Sequence, residues 1–445
     1  MSSPIASLAG YLDRRIGRRA DPPSLWPTGV GALLSHVAIA AFLVLFATGV
    51  LLAFAYQPTV EPTVYEGSSE LYDGQTLPGA FASIITISED MPGGLLLRRI
   101  HVAASHLLLL SLVAHLLRVL ATGAFRRPRL ATHLTGVGLM LVAMGFSYTG
   151  EIMPFGLVSG SSLRIAEAVM YSLPFVGEQL GTLVFDGALP SDRFLFLSWF
   201  AHLFLLPPAF IALTAWHLWQ VHHRRPALEP RPDVDVAITA VGRPLWPDAV
   251  ARFAFLTAGL VALLMLASIL IPWADLELEG PFLTAEATNS VHPPWPLFFL
   301  TGGLRIVPAI EFVIFGVRIT NVLIAGVAIP SLLVGGLALY PFLERWVLKD
   351  DAEHHRLDHP LDVPFRAGAV TFMTTVALVF TFGGAVDVLA FWLTVPVEGV
   401  VLTFRIMLIT LPFLLAALAV RASRRRLARR HEQVPTRRRT TEEAT

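Results

Sequence analysis

The sequence contains no cysteine. Disulfides, iron–sulfur clusters held by cysteine thiolates and thioether attachment of a c-type haem are therefore excluded. Any cofactor must be held by histidine, carboxylate or packing alone. Charge is also scarce, since Asp, Glu, Lys and Arg make up 15% of the 445 residues, and 33 basic side chains balance 33 acidic ones. No basic surplus exists to recruit a nucleic acid. Apolar residues fill the space instead, at 54% of the chain with a mean hydropathy of +0.64. That is too apolar for an ordinary soluble domain and predicts a membrane protein.

A bilayer core takes about 20 apolar residues in a helix. Seven runs of suitable length are evident, at 36–56, 100–117, 134–149, 194–221, 253–273, 319–342 and 367–386. An eighth, 399–420, carries Arg405 but is otherwise so apolar that it too is predicted to span. The first run is too long for the apolar core of a signal peptide, and no small-residue cleavage pattern follows it, so it is expected to remain in the mature protein. The predicted fold is an all-α membrane protein of eight transmembrane helices. It divides into an N-terminal segment (1–29), a four-helix bundle (30–225), a linker (226–248), a C-terminal four-helix half (249–421) and a basic tail (422–445).

Charge alternates between the connections. Arg14, Arg15, Arg18 and Arg19 precede the first run, Arg126, Arg127 and Arg129 follow the second, and Arg224, Arg225 and Arg231 follow the fourth. Arg345, Lys349 and Arg356 follow the sixth, and Arg424, Arg425, Arg426, Arg429 and Arg430 follow the eighth. The intervening connections are acidic, with Glu61, Glu66, Glu70, Asp73, Glu89, Asp90, Asp186, Asp192, Asp275, Glu277 and Glu279. The positive-inside rule then predicts a multi-pass protein of the cell membrane with both termini cytoplasmic. Between the third and fourth runs, Ser161 to Glu167 fits either a short amphipathic helix at the outer interface or an ordinary surface loop. The Pro-, Asp- and Arg-rich linker separates the two halves, and no internal repeat is visible.

The histidines carry the chemistry. Of fourteen, six fall in or at the edges of these runs, and four of them form matched pairs. His101 and His115 are 14 residues apart (115 − 101), and His202 and His217 are 15 apart (217 − 202). At about 100° per residue each pair returns to within about 40° and 60° of one face, with a rise of about 21 to 22 Å. Both helices run in the same direction, so His101 is expected to meet His202 near the outer surface and His115 to meet His217 near the inner one. Two bis-imidazole haem sites stacked across the membrane are the implication. A lone intramembrane histidine is more often a packing or proton-relay residue. His36 and His106 fit that description, since His106 lies about 140° around its helix from His101 and has no counterpart on the fourth run.

A flat macrocycle needs room against a helix backbone. Gly136 and Gly150 stand 14 residues apart in the third run, as do Ser35 and Gly49 in the first. Taken singly, each is an ordinary small residue of membrane helix packing. Arg98 precedes His101 by one turn and Arg118 follows His115 by three residues, so each can pair with a haem propionate, or can equally be an interfacial side chain that snorkels.

Beyond the histidine spacing, the Leu97-Arg98-Arg99-Ile100-His101 start and the run Thr122 to Arg129 resemble the cytochrome b subunit of quinol:cytochrome c oxidoreductases. Gly303-Leu304-Arg305, Pro308-Ala309, Glu311-Phe312, Ile314-Phe315-Gly316, Tyr340 to Arg345 and His359 to Pro364 are similar to the actinobacterial, menaquinol-type branch. The resemblance spans 26–421. It implies a bundle binding two haem b groups, quinol oxidation at an outer site, quinone reduction at an inner one, and menaquinone as the quinone. It further implies a Rieske iron–sulfur protein and a c-type cytochrome as partners, contact with membrane lipid, and a homodimer.

The chain also departs from this family. The outer quinol site of the family carries Pro-Glu-Trp-Tyr or Pro-Asp-Phe-Tyr, and the matching positions here are Pro293-Pro294-Trp295-Pro296. Proline cannot accept a proton, so another group must, with Glu151 and His292 as candidates. Pro154-Phe155 replaces a Pro-Trp pair, and Leu197 stands where the family has arginine, leaving Arg193 one turn earlier as a substitute. Three readings follow: a quinol-oxidising cytochrome b with an altered outer site, a di-haem membrane anchor exchanging electrons between quinone and a dehydrogenase-type partner, or a haem-free membrane subunit with histidines in proton relays.

Overall fold

A computed structural model describes residues 25–26, 29–187, 191–224, 227, 243–271, 276–283 and 298–433. Among the described residues, eight helices are long and apolar enough to cross a bilayer: α1 (Val30–Ala53), α2 (Gly94–Ala121), α3 (Leu130–Ile152), α4 (Asp192–Arg224), α5 (Trp246–Leu270), α6 (Asn321–Leu348), α7 (Pro364–Gly383) and α8 (Val397–Gln433). Hydropathy places all eight but shortens most of them. Arg98 and Arg99 end the apolar run of α2 without ending the helix, which begins only where Gly93, at φ 75°, turns the chain. In α8, no glycine or proline follows Pro412 before Gln433, so the helix continues through the first half of what the sequence predicts as a basic tail. Most of the predicted linker lies outside the described residues; its Arg243–Pro244 pairs antiparallel with Leu25–Trp26.

α4 contains a wide turn at Ala201–Leu205, where the Leu206 N–H bonds the Ala201 carbonyl five residues back. Pro207 and Pro208 lack the N–H groups that would bond Leu203 and Phe204, which favours this pattern. A wide turn absorbs one extra residue. The 15-residue separation of His202 and His217 therefore acts as 14, matching α2.

α1 packs on α2, α3 on α4, and α2 on α3, around a middle layer of Ala38, Ala41, Leu108, Leu109, Leu112, Leu139, Ala143 and Phe210. Phe42 packs at a tilt 4.5 Å from Phe210, and Phe146 meets Phe210 edge-on at 6.1 Å. At one end the connections fold into a roof. The hairpin Pro62–Val64/Thr76–Pro78, the helices Gly79–Ile85, Leu157–Tyr171 and Gly177–Phe185, and Phe282 share one apolar cluster with Phe155 and Phe194. The segment from Ser161 to Glu167 is thus helical, with Ser159, Gly160, Ser162 and Leu163 buried beneath it.

The opposite end is arginine-rich and joins the two halves. Arg366, 1% exposed, bonds Glu344 at 2.5 and 2.9 Å and Asp358 at 2.7 Å. Arg126 reaches Asp358 at 2.9 Å, Tyr340 donates to Glu344 at 2.6 Å, and Arg129 reaches the His354 carbonyl. Burial, then the nearby charge of Arg126, hold Arg129 down at about 10. His133, inside α3 rather than before it, meets the Leu337 carbonyl of α6 at 2.8 Å. Arg405, the anomaly of the eighth run, donates to the Ile306 carbonyl at 2.8 Å and so caps the short helix Phe298–Ile306.

Candidate functional site

The bundle of α1 to α4 brings the four histidines together in two facing pairs. His101 on α2 and His202 on α4 have ring centroids 6.3 Å apart at an interplanar angle of 57°. His115 and His217 are electrostatic neighbours one level nearer the arginine-rich end. Two imidazoles on opposite faces of one metal, each at about 2 Å, put their centroids about 6 Å apart. The first pair has that separation, so its residues fit an iron between them.

Each ring is held from behind by a hydroxyl of the neighbouring helix. Thr48 Oγ1 lies 2.8 Å from His101 Nδ1, Thr149 Oγ1 2.9 Å from His202 Nδ1, Thr135 Oγ1 2.9 Å from His217 Nδ1, and Ser35 Oγ 3.4 Å from His115 Nδ1. Every one of these hydroxyls already donates to its own helix: Thr48 to Val44 at 2.7 Å, Thr149 to Gly145 at 2.8 Å, Thr135 to Thr132 at 2.9 Å and Ser35 to Gly31 at 3.0 Å. A hydroxyl has one proton. With it directed to a carbonyl, the oxygen accepts the imidazole Nδ1–H, and the lone pair of Nε2 is left for a metal.

The glycines lie next to those hydroxyls and open the space for the rings. A Cβ at Gly150 would sit 2.9 Å from His202 Cε1, and one at Gly49 would sit 3.1 Å from His101 Cε1. At Gly136 the distance to His217 Cε1 is 3.6 Å, ordinary contact. For Gly49 and Gly150 the nearest partner is thus the imidazole itself, while at Gly136 a Leu116 methyl at 3.5 Å is as near. The sequence overlooked the threonines, although a visible signal existed: Thr48-Gly49, Thr135-Gly136 and Thr149-Gly150 repeat one dipeptide at the three positions.

Arg98 is buried in the first turns of α2, near the His101 level. Arg118 reaches across to Gly31 on α1, at the level of Ser35 and His115. Arg193 does not replace the missing family arginine; it pairs with Asp186 at 2.8 Å on the surface. His36 packs at a tilt against Phe253 of α5, with ring centroids 5.7 Å apart.

Beneath the roof is an apolar cavity of about 330 Å³ lined by Tyr148 of α3, Ser162 and Met170 of the Leu157–Tyr171 helix, and Leu300 and Thr301. The Tyr148 hydroxyl and the Ser162 hydroxyl, the latter on a residue 2% exposed, are buried without a hydrogen-bond partner among the described residues. Glu151 lies one turn beyond Tyr148, with Glu279 in electrostatic reach. Glu279 is brought there by backbone bonds from Leu157 to Gly280 and from Phe282 to Phe155. The other outer-site candidates, His292, Pro293, Pro294 and Trp295, lie outside the described residues.

An eight-span helical membrane protein whose first four helices hold two facing histidine pairs belongs to the class of membrane electron-transfer subunits. The profile described as "Cytochrome b(N-terminal)/b6/petB" matches residues 106–278. The cytochrome bc1 complex cytochrome b subunit of Streptomyces coelicolor is 30% identical over 391 residues, covering 86% of this chain and 71% of the relative. That of Corynebacterium diphtheriae is 30% identical over 421 residues, covering 93% and 77%. A solved structure titled "Hyperthermophilic respiratory Complex III" superposes with a TM-score of 0.65 at 16% identity, over 93% of this chain and 99% of the other, and shares the fold. The chain belongs to the cytochrome b family of cytochrome bc1 complexes. It is an electron-transfer subunit of a respiratory oxidoreductase.

Proposed function

We propose that the chain binds two haem b groups, one between His101 and His202 and the other between His115 and His217, and carries quinol electrons between them across the membrane. The observation that carries this reading is the set of four histidines, each with a hydroxyl acceptor at Nδ1 that leaves Nε2 free for a metal, with His101 and His202 at 6.3 Å between ring centroids. When bound, each haem supplies one-electron redox chemistry tuned by its axial imidazoles and their outer hydrogen bonds. The protein's own part is positioning. The threonines fix tautomer and ring orientation, the glycines admit the rings, and Arg98 and Arg118 supply cations for the propionates.

The cavity under the roof is the quinol site in this reading. Its volume lies at the low end of small-molecule pockets, its walls are apolar, and the Tyr148 and Ser162 hydroxyls are there to meet quinol oxygens. With Pro294 unable to accept a proton, Glu151 takes the quinol proton and Glu279 carries it toward the aqueous side. The quinone is menaquinone, the arginine-rich end and both termini face the cytoplasm, and the working unit is a homodimer with Rieske and c-type cytochrome subunits.

The test is a reduced-minus-oxidised spectrum of the purified complex with menaquinol as reductant. Quinol-reducible b-type bands are expected, sensitive to an outer-site inhibitor. Bands that dithionite reduces but menaquinol does not would favour the anchor reading instead. Glu151→Gln is expected to slow menaquinol oxidation about 100-fold or more while both bands persist; an unchanged rate would exclude it as the acceptor.

A further inference from the structure

Where α8 leaves the membrane, its two faces differ in charge partnering. Counting about 100° per residue from Arg421, Arg424 lies at about −60°, Arg425 at about 40° and Arg429 at about 80°. Ser423, Arg426 and Arg430 lie at about 200°, 140° and 180°, on the opposite side. That opposite side is pinned to the connection before α7: Ser423, fully buried, donates to the Leu361 carbonyl at 2.8 Å, and Arg426 and Arg430 meet Asp362 at 2.9 and 3.1 Å. The four arginines of the free side are exposed, and none makes an ion pair or hydrogen bond among the described residues. Within the span, Leu414 and Leu418, 54% and 50% exposed, lie within about 60° of Arg421 on the same side. The lipid-facing stripe of α8 therefore runs straight into the arginine stripe.

We propose that Arg421, Arg424, Arg425 and Arg429 form a binding site for the phosphate headgroups of anionic phospholipids in the leaflet at the arginine-rich end. Continuity with the Leu414 and Leu418 stripe selects the occupant. A lipid whose acyl chains lie along those leucines has its phosphate at the level of the first arginines, where planar guanidinium groups offer paired donors to phosphate oxygens. Clusters of four or more arginines directly after a membrane helix attract anionic lipid by charge alone. Here the pinned face adds orientation, because Asp362 holds the helix so that these arginines cannot turn toward the protein.

The experiment reconstitutes the complete complex in phosphatidylcholine vesicles carrying spin-labelled phosphatidylglycerol or spin-labelled phosphatidylcholine. The ratio of motionally restricted fractions reads lipid selectivity. In the variant carrying Arg421→Gln, Arg425→Gln and Arg429→Gln, preference for phosphatidylglycerol at the affected sites is expected to fall roughly fivefold per arginine. High salt on the wild type is expected to lower it in the same direction. Should the triple variant fail to assemble, Arg425→Gln alone and the salt titration decide with the same readout. Unchanged selectivity overturns the proposal. Unchanged selectivity accompanied by loss of a subunit from the complex also overturns it, in favour of an acidic protein partner.

Discussion

Around His101, His202 and His217 the decisive contacts are a hydroxyl and a missing Cβ, and around His115 the Ser35 hydroxyl alone. Gly150 and Gly136 separate the two effects. Gly150→Ala would press a methyl to 2.9 Å from His202 Cε1 and is expected to abolish the spectral signature of the haem at that level, whereas Gly136→Ala, at 3.6 Å from His217, is expected to leave the other haem in place. Low-temperature spectra that resolve the two bands check this; equal effects of the two variants would contradict it. Thr149→Val removes the acceptor of the His202 Nδ1–H without changing side-chain volume greatly. Loss of an outer-shell partner of this kind typically costs 10- to 100-fold in metal affinity. A weaker acceptor also leaves the imidazole less electron-rich, so the potential of that haem is expected to rise in a redox titration. The four histidines were legible because spacing and helix period constrain them directly. The threonines were not, because a hydroxyl facing an imidazole and one merely satisfied by its own helix are the same residue in a sequence, and these do both.

The helices show where hydropathy stops being informative. It responds to transfer from water, so it ended α2 at Ile100 and α8 at Val420, where arginines begin. A helix ends where backbone bonding fails, and arginine is a good helix former. The wide turn in α4 was likewise hidden in the 15-residue spacing, which looked like a slightly poorer match than 14 and is instead the same register with one residue absorbed. The join between the α7 entry and α8 gives a pH-dependent prediction. Burial alone would raise the Asp362 carboxyl, but the Arg426 hydrogen bond, the His359 N–H and the charges of Arg430 and Arg426 outweigh it and hold the group below the usual carboxylate range. A carboxyl lowered in the folded state adds stability that is present above its unfolded value, about 3.9, and lost as pH falls through the folded value. Amide exchange in residues 421–430, corrected for its intrinsic pH dependence, is therefore expected to accelerate below about pH 4. Asp362→Asn should remove that acceleration; an identical profile in both proteins would refute it.

On the scale of the whole molecule, charge segregation inferred from the connections corresponds to a physical joint. Arg366, Glu344, Asp358, Arg126 and Tyr340 meet at one end and tie α6 and α7 to the connection between α2 and α3. Removing one member of a buried ion pair strands the other, at a cost of about 3 to 5 kcal/mol. Arg366→Leu is expected to lower the thermal stability of the complex by a corresponding amount, with early separation of the halves visible as increased proteolysis between α4 and α5; wild-type stability would show that the joint contributes little. Pairing across the bundle could be read from helix count, direction and histidine spacing. The roof could not, since its short helices and the Pro62–Val64 hairpin are held by contacts among Tyr65, Phe81, Phe155 and Phe282 that no local pattern announces. The measurement that tests the central claim most directly is the haem content per chain, by pyridine haemochromogen, of the wild type beside His101→Ala and His115→Ala. Two haem b groups are predicted in the wild type and one in each variant, with the surviving haem at a different potential in the two. No haem in the wild type, or loss of both groups in each variant, would contradict the account.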